Sequence, residues 1–264
     1  MSRSGPLHAW ITRLPEQGRY VFTLREAEVH AEGGRKAVQA TLRRLKERGA
    51  IVCPRRGFYV LVPPEYRSAG CPPASWFIDD LMKNQGRGYY VALLTAAALH
   101  GAGHQQPMVF QVMTDASERD IRAGRVRIEY HVSRLVHAAA TTGVQTETGT
   151  MVVATPETTA FDLVRFPGAS GGWSHVATVL TELTESMDPA RLVAGALRVP
   201  RAAVQRLGWM LDALGASALV EGLAEALEGQ RLVPTPLEAS EDASGAPLDP
   251  RWRILENVAV EPDL

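Results

Sequence analysis

Residues 33–60 read GGRKAVQATLRRLKERGAIVCPRRGFYV. Eight lysines or arginines and one glutamate stand in this stretch, in a chain of 264 residues whose formal net charge is -1. Val38, Leu42 and Leu45 are spaced i, i+4, i+7, so a helix from about Arg35 to Arg48 buries one stripe. At ~100° per residue the opposite face carries Lys36, Gln39, Ala40 and Arg43. Gly49 is a C-cap for that helix. AIVCP and FYVLV around the turn RRG then read as a hairpin, closed off by Pro63-Pro64.

Upstream, Leu7, Trp10, Ile11 and Leu14 mark a first helix over about residues 5–14. Thr23 with Glu26 three residues on is a capping box for a short second helix that ends near Ala31, before Gly33-Gly34. Helix, short helix, glycine turn, basic helix and basic-tipped hairpin is the element order of a winged helix-turn-helix. The expectation for the whole chain is a mostly helical α+β protein. An N-terminal winged helix-turn-helix (1–66) leads through a linker (67–75, RSAGCPPAS) to a larger α/β domain (76–264). That domain reads as a small mixed sheet with a helical block.

Charge divides along the same boundary. Residues 1–62 hold 12 basic and 5 acidic side chains, a balance of +7, and the remainder holds 16 and 24, a balance of -8. A basic head calls for a polyanion and an acidic body for a different partner. Hydrophobic residues at 45% suffice for ordinary cores, and no stretch approaches the ~18 apolar residues of a membrane span. The N-terminus lacks the apolar core of a signal peptide. Two cysteines, Cys53 and Cys71, without metal-site spacing fit a reduced cytoplasmic protein.

Three features favour double-stranded DNA for the head. Arg35 and Lys36 occupy a helix start, where the dipole disfavours cations and an anion would restore the balance. Gln39 and Arg43 follow on the same face, and these types read adenine and guanine edges. Arg55 and Arg56 stand at the hairpin tip, where a wing meets the backbone or minor groove. Arg44 and Lys46 complete the candidate set as phosphate contacts.

The second domain offers a helix at WFIDDLMKN, then GYYVALLTAAALHG (88–101), a long apolar helical run. Strands are expected at 108–114, 126–132 and 151–155. Thr155-Pro156 and Asp188-Pro189 start helices, with Pro at the first helical position. The acidic Pro/Ala-rich stretch within 230–250 reads as loosely ordered, and RWRILENVAV as a final strand or docked segment. His100 and His104 are better read as loop or cap residues than as a metal pair, because glycines interrupt the run and no third ligand is marked. GASGGW lacks the endings of a P-loop or a nucleophile elbow and reads as a turn. Asp79-Asp80 and Glu182/Glu185 read as water-facing acids, and Tyr89, Tyr90, Trp173 and Trp209 as core or interface anchors. No catalytic, metal or cofactor constellation stands out.

AVQATLRRLKERGAIVCPRRGFYVLVP, GYYVALLTAAALHGAGHQQPMVFQVMT and VATPETTAFDLVRF together resemble the AbiEi antitoxins of AbiE toxin-antitoxin systems, over roughly residues 15–166. DPRWRILENV is similar to that family's closing segment. The resemblance implies a bacterial antitoxin that represses its own operon by binding inverted repeats in the promoter. It also implies a neighbour-encoded, nucleotidyltransferase-like toxin that the C-terminal domain counteracts, in a phage-defence setting. Carried over by position, Arg35, Lys36, Gln39, Arg43, Arg55 and Arg56 are the implied DNA contacts. The insert at 234–250 has no counterpart role. The chain has no Asp-x-Asp for a two-metal nucleotidyltransferase, which excludes the toxin half. A ligand-responsive winged-helix regulator with a C-terminal sensor domain is the alternative, and an enzyme with an unreadable site the third reading.

Overall fold

A computed structural model describes residues 5–103 and 107–261. The N-terminal unit runs α1 (Pro6–Arg13), β1 (Val21–Thr23), α2 (Leu24–Val29), α3 (Gly34–Glu47), β2 (Ile51–Arg55) and β3 (Phe58–Leu61). Thr23 caps α2 through the reciprocal capping box, with the Glu26 amide donating to its hydroxyl and Glu26 accepting from its amide. The turn into α3 rests on Gly33 (φ 102°) and Gly34 (φ 54°), which take the left-handed region that a side chain would resist. Val38, Leu42 and Leu45 are buried, as their spacing predicts, against Leu7, Ile11, Phe22 and Ile51. β1, β3 and β2 form an antiparallel sheet in that order.

The second unit begins with α4 (Ile78–Gln85), β4 (Tyr89–Val91) and α5 (Leu93–Leu99). The run 88–101 is therefore a strand followed by a short helix, and the expected single helix is corrected. Tyr89, Tyr90 and Val91 are strand formers, and an all-apolar run carries no period that separates a buried strand from a buried helix. Next come β5 (Phe110–Thr114), β6 (Ile121–Ala123), β7 (Val126–Val132), β8 (Thr141–Thr146) and β9 (Gly149–Ala154). Six strands stand in the order β6-β7-β5-β4-β9-β8. The sheet is mixed: β5 lies parallel to β7 and β4 to β9, and the other neighbours are antiparallel. The sequence predicts three of these strands. β6 and β8 escape because one is short and the other polar and exposed.

Five helices cover the sheet and build the block: α6 (Pro156–Arg165), α7 (Trp173–Leu183), α8 (Pro189–Ala196), α9 (Arg201–Ala213) and α10 (Ser217–Leu227). Thr155 and Asp188 cap α6 and α8 as predicted. The loosely ordered reading of residues 230–250 is corrected in part. β10 (Thr235–Pro236) pairs parallel with β11 (Ile254–Leu255), and Leu237, Trp252 and Ile254 are buried in the helical core. The buried Gln205 amide holds this strap, donating to the carbonyls of Val233 (3.0 Å) and Trp252 (2.9 Å). The stretch between, 238–250, closes on itself through Asn257 and Asp249.

One apolar core crosses from the first unit to the second. Val21, Phe58 and Val60 of the small sheet pack with Trp76, Phe77, Ile78 and the β4–β5 region. Segment 67–75 is part of that join: Cys71 and Ala74 are buried, and the Arg125 amide donates to the Ala69 carbonyl (2.7 Å). Gly124 sits so close that a Cβ there would stand 2.1 Å from the Ala69 oxygen.

Two substitutions test the strap. The indole of Trp252 covers Gly208, where an added Cβ would fall 2.2 Å from the ring. Gly208→Ala should cost about 1–3 kcal/mol by overpacking, and Trp252→Ala about 3–5 kcal/mol by leaving a cavity, both read in urea denaturation. Unchanged midpoints would mean the strap is not packed.

Candidate nucleic-acid interface

α3 presents a cationic face because its apolar stripe is fully used inward. Arg35, Lys36, Gln39, Arg43, Arg44 and Lys46 are all exposed. The first turn contains Arg35 and Lys36 and no acidic residue. Four unsatisfied amides there carry partial positive charge, so the cations sit where the helix itself opposes them by a few tenths of a kcal/mol or more. Arg44 and Lys46 differ: they lie in the last turn, where the dipole favours them without any ligand. The Arg44 Nε also donates to the Ala40 carbonyl (3.3 Å).

The surrounding acids neutralise little of this face. Arg35 approaches Glu28 at 3.6 Å and Arg43 approaches Glu47 at 3.8 Å, both with exposed guanidinium groups. Exposed pairs of this kind contribute about 0–1 kcal/mol and leave the arginines free to exchange partners. Lys36 and Arg56 have no ion pair among the described residues.

The hairpin tip splits its two arginines. Arg56 is exposed. The Gly57 carbonyl accepts from the Leu24 amide (2.7 Å), which ties the turn to the start of α2. Arg55 points the other way, into the second unit. It donates to the carbonyls of Arg119 and Asp120, lies 3.8 Å from Glu118 and stacks 5.5 Å from the Tyr130 ring centre. The structure thus gathers Arg35, Lys36, Gln39 and Arg43 on one face, with Arg56 on the neighbouring tip, and does not bring Arg55 to them.

The second unit holds a buried polar cluster that the sequence reading missed. Asp162, 1% exposed, accepts from the Tyr90 hydroxyl (2.8 Å) and from Arg165 (2.8 Å). Arg165 also donates to the buried Ser133 hydroxyl (3.0 Å). Burial pushes the Asp162 carboxyl up to about 6, against the downward pull of Arg165 and Tyr90. The adjoining cleft, between Tyr90, Phe161, Asp162, Arg165 and Arg198, measures about 30 Å³. That is room for about one water molecule. The available signal was the pair Asp162 and Arg165, three residues apart on one helix. Among the other residues weighed, His100 caps α5 and its ring pairs with the Ala154 carbonyl (2.7 Å). His104 lies outside the described residues. Asp79 is less open than its sequence suggests, accepting from the Tyr89 hydroxyl (2.9 Å) beside Lys83. Tyr90 and Trp173 are core residues. No group of three metal-ligating side chains occurs among the described residues, and none of their helices is long and apolar enough to cross a membrane.

The sheet edge, α5, α6, α7 and α9 with this cluster fall inside residues 90–213, which match the family described as the AbiEi antitoxin C-terminal domain. Tyr90, Ser133, Asp162 and Arg165 all lie in the matched region, and the match supports an antitoxin role. Among solved structures, the crystal structure of the RV2827C protein from Mycobacterium tuberculosis is similar at a TM-score of 0.66. The similarity covers 96% of this chain and 94% of that one, at 18% identity, and is one of fold. No curated protein matches.

Asp162 gives the second unit a pH signature. Its folded value lies above the unfolded 3.8, so between the two the folded state keeps a proton that the unfolded state has released, and stability falls as pH rises. Asp162→Asn removes this slope. Its stability relative to the native chain should improve between about pH 4 and about pH 7 in urea titrations. A difference independent of pH would contradict the assignment.

Proposed function

We propose that this chain is an antitoxin that also represses its own operon, binding inverted repeats in its promoter through an N-terminal winged helix-turn-helix. α3 is the recognition helix, Gln39 and Arg43 face base edges, Arg35 and Lys36 meet phosphates at the helix start, and Arg56 supplies the wing contact. Arg44 and Lys46 add backbone charge. The AbiEi domain counteracts a nucleotidyltransferase-like toxin encoded beside it, in the cytoplasm, without enzymatic activity of its own.

One observation carries the DNA reading above the others. Two exposed cations occupy the first turn of α3, where the helix disfavours them and the turn itself holds no acid. A phosphate at that turn would bond the free amides and the cations together. The helix-helix-hairpin order with a three-stranded sheet β1-β3-β2 is the geometry that lets such a helix enter a major groove. The sensor alternative gains nothing from the cleft beside Asp162, whose 30 Å³ is far below the several hundred of a ligand pocket.

Gel-shift titration on the DNA upstream of its own gene tests this. The observed affinity should fall steeply with salt, with an exponent of about 0.9 for each phosphate neutralised. The double variant Arg35→Ala, Arg43→Ala should bind at least tenfold more weakly, because it removes one phosphate and one base contact of about 1–3 kcal/mol. Binding that ignores salt, or survives the double change, would refute the recognition-helix assignment.

A further inference from the structure

β2 carries an irregularity just before the wing tip. Its register against β3 shifts between Val52 and Arg55. Pro54 has no amide to give the ladder, and the Cys53 thiol donates to the Arg55 carbonyl (2.9 Å), closing the bulge from within. Bulges turn the following side chain away from its regular face. Here the turned side chain is Arg55, and it lands between the Tyr130 ring and Glu118.

Glu118 is a junction as well as a partner. Its carboxylate, only 15% exposed, also accepts from Gln85 at the end of α4 (3.2 Å) and from Arg87 before β4 (3.3 Å). The wing strand, α4, β4 and the loop after β5 therefore meet at one carboxylate. The Arg55 side chain is 20% exposed, against 68% for Arg35 and 75% for Arg43. It is held by hydrogen bonds to two carbonyls, an ion pair with the carboxylate and a ring face.

We propose that Glu118 is a positioning residue for the wing: it captures Arg55, locks the wing tip to the second unit and fixes the angle at which that tip stands beside α3. The wing then presents one cation to DNA, Arg56, and Arg55 acts from behind. DNA reading becomes sensitive to the state of the second unit, because Glu118 belongs to that unit. The affinity part of this rests on the DNA-binding reading; the latch itself does not.

Five full-length proteins decide it: the native chain, Arg55→Ala, Glu118→Gln, the double variant of these two and Arg56→Ala, each titrated on the upstream DNA over a range of salt and each melted. Arg56→Ala should lower the salt exponent by about 0.9, the value for one lost phosphate. Arg55→Ala and Glu118→Gln should each weaken binding severalfold by a factor that does not change with salt. The double variant Arg55→Ala, Glu118→Gln should lose less than the sum of the two single losses, in affinity and in melting temperature, because both break the contact they share. A fall in salt exponent for Arg55→Ala equal to that of Arg56→Ala would place Arg55 on a phosphate and overturn the proposal. So would Glu118→Gln with native binding and native melting, or additive losses in the double variant. If the native chain binds no DNA, the functional reading fails alone, and non-additive melting of the two single variants still decides the latch.

Discussion

Trp76 is the residue on which the arrangement of the molecule depends. Its ring meets Tyr20 of the first unit edge-on at 4.9 Å and Tyr66 of the connecting segment at 5.2 Å. Its carbonyl accepts from Thr148 beyond β8 (2.7 Å). Such edge-to-face pairs add about 0.5–1.5 kcal/mol each beyond the area they bury. The indole NH has no partner among the described residues, so the site accepts an unpaired donor for the sake of apolar packing. Around this ring the small sheet, the connecting segment and the β4–β5 layer share one core.

A shared core changes what the chain can do. A winged unit on a free tether would place α3 anywhere within reach. Here Val21, Phe58 and Val60 are buried against the second unit, Gly124 presses on the 69–70 backbone, and Arg55 closes the tip. The proposed recognition helix therefore has a fixed direction relative to the second unit. The charge division of the sequence, +7 before residue 63 and -8 after it, then lies across a single body.

The first unit was legible because its signals are local. Thr23 with Glu26, Gly33-Gly34, the Val38–Leu42–Leu45 stripe and the RRG turn each act within one or two turns of chain. The second unit hid what depends on distant partners. Tyr89–Val91 became a strand only because β5 and β9 flank it. The 230–250 stretch looked free because Gln205, which holds it, lies some 30 residues away. The fate of Arg55 was unreadable for the same reason: Glu118, Arg119 and Tyr130 have no mark in the sequence near it. Asp162 hid inside a helix whose period reads as apolar, and only Tyr90 and Ser133, from other strands and loops, reveal why an acid stands there.

In the proposed arrangement α3 meets DNA while the wing stays fastened to the second unit. A crystal structure of the full chain on a duplex carrying its promoter repeats would test both halves at once. Such a structure should show α3 in the major groove, Gln39 and Arg43 at base edges, a phosphate at the Arg35–Lys36 turn, and Arg55 still against Glu118. DNA bound to another face, or Arg55 swung out onto a phosphate with Glu118 left behind, would contradict it.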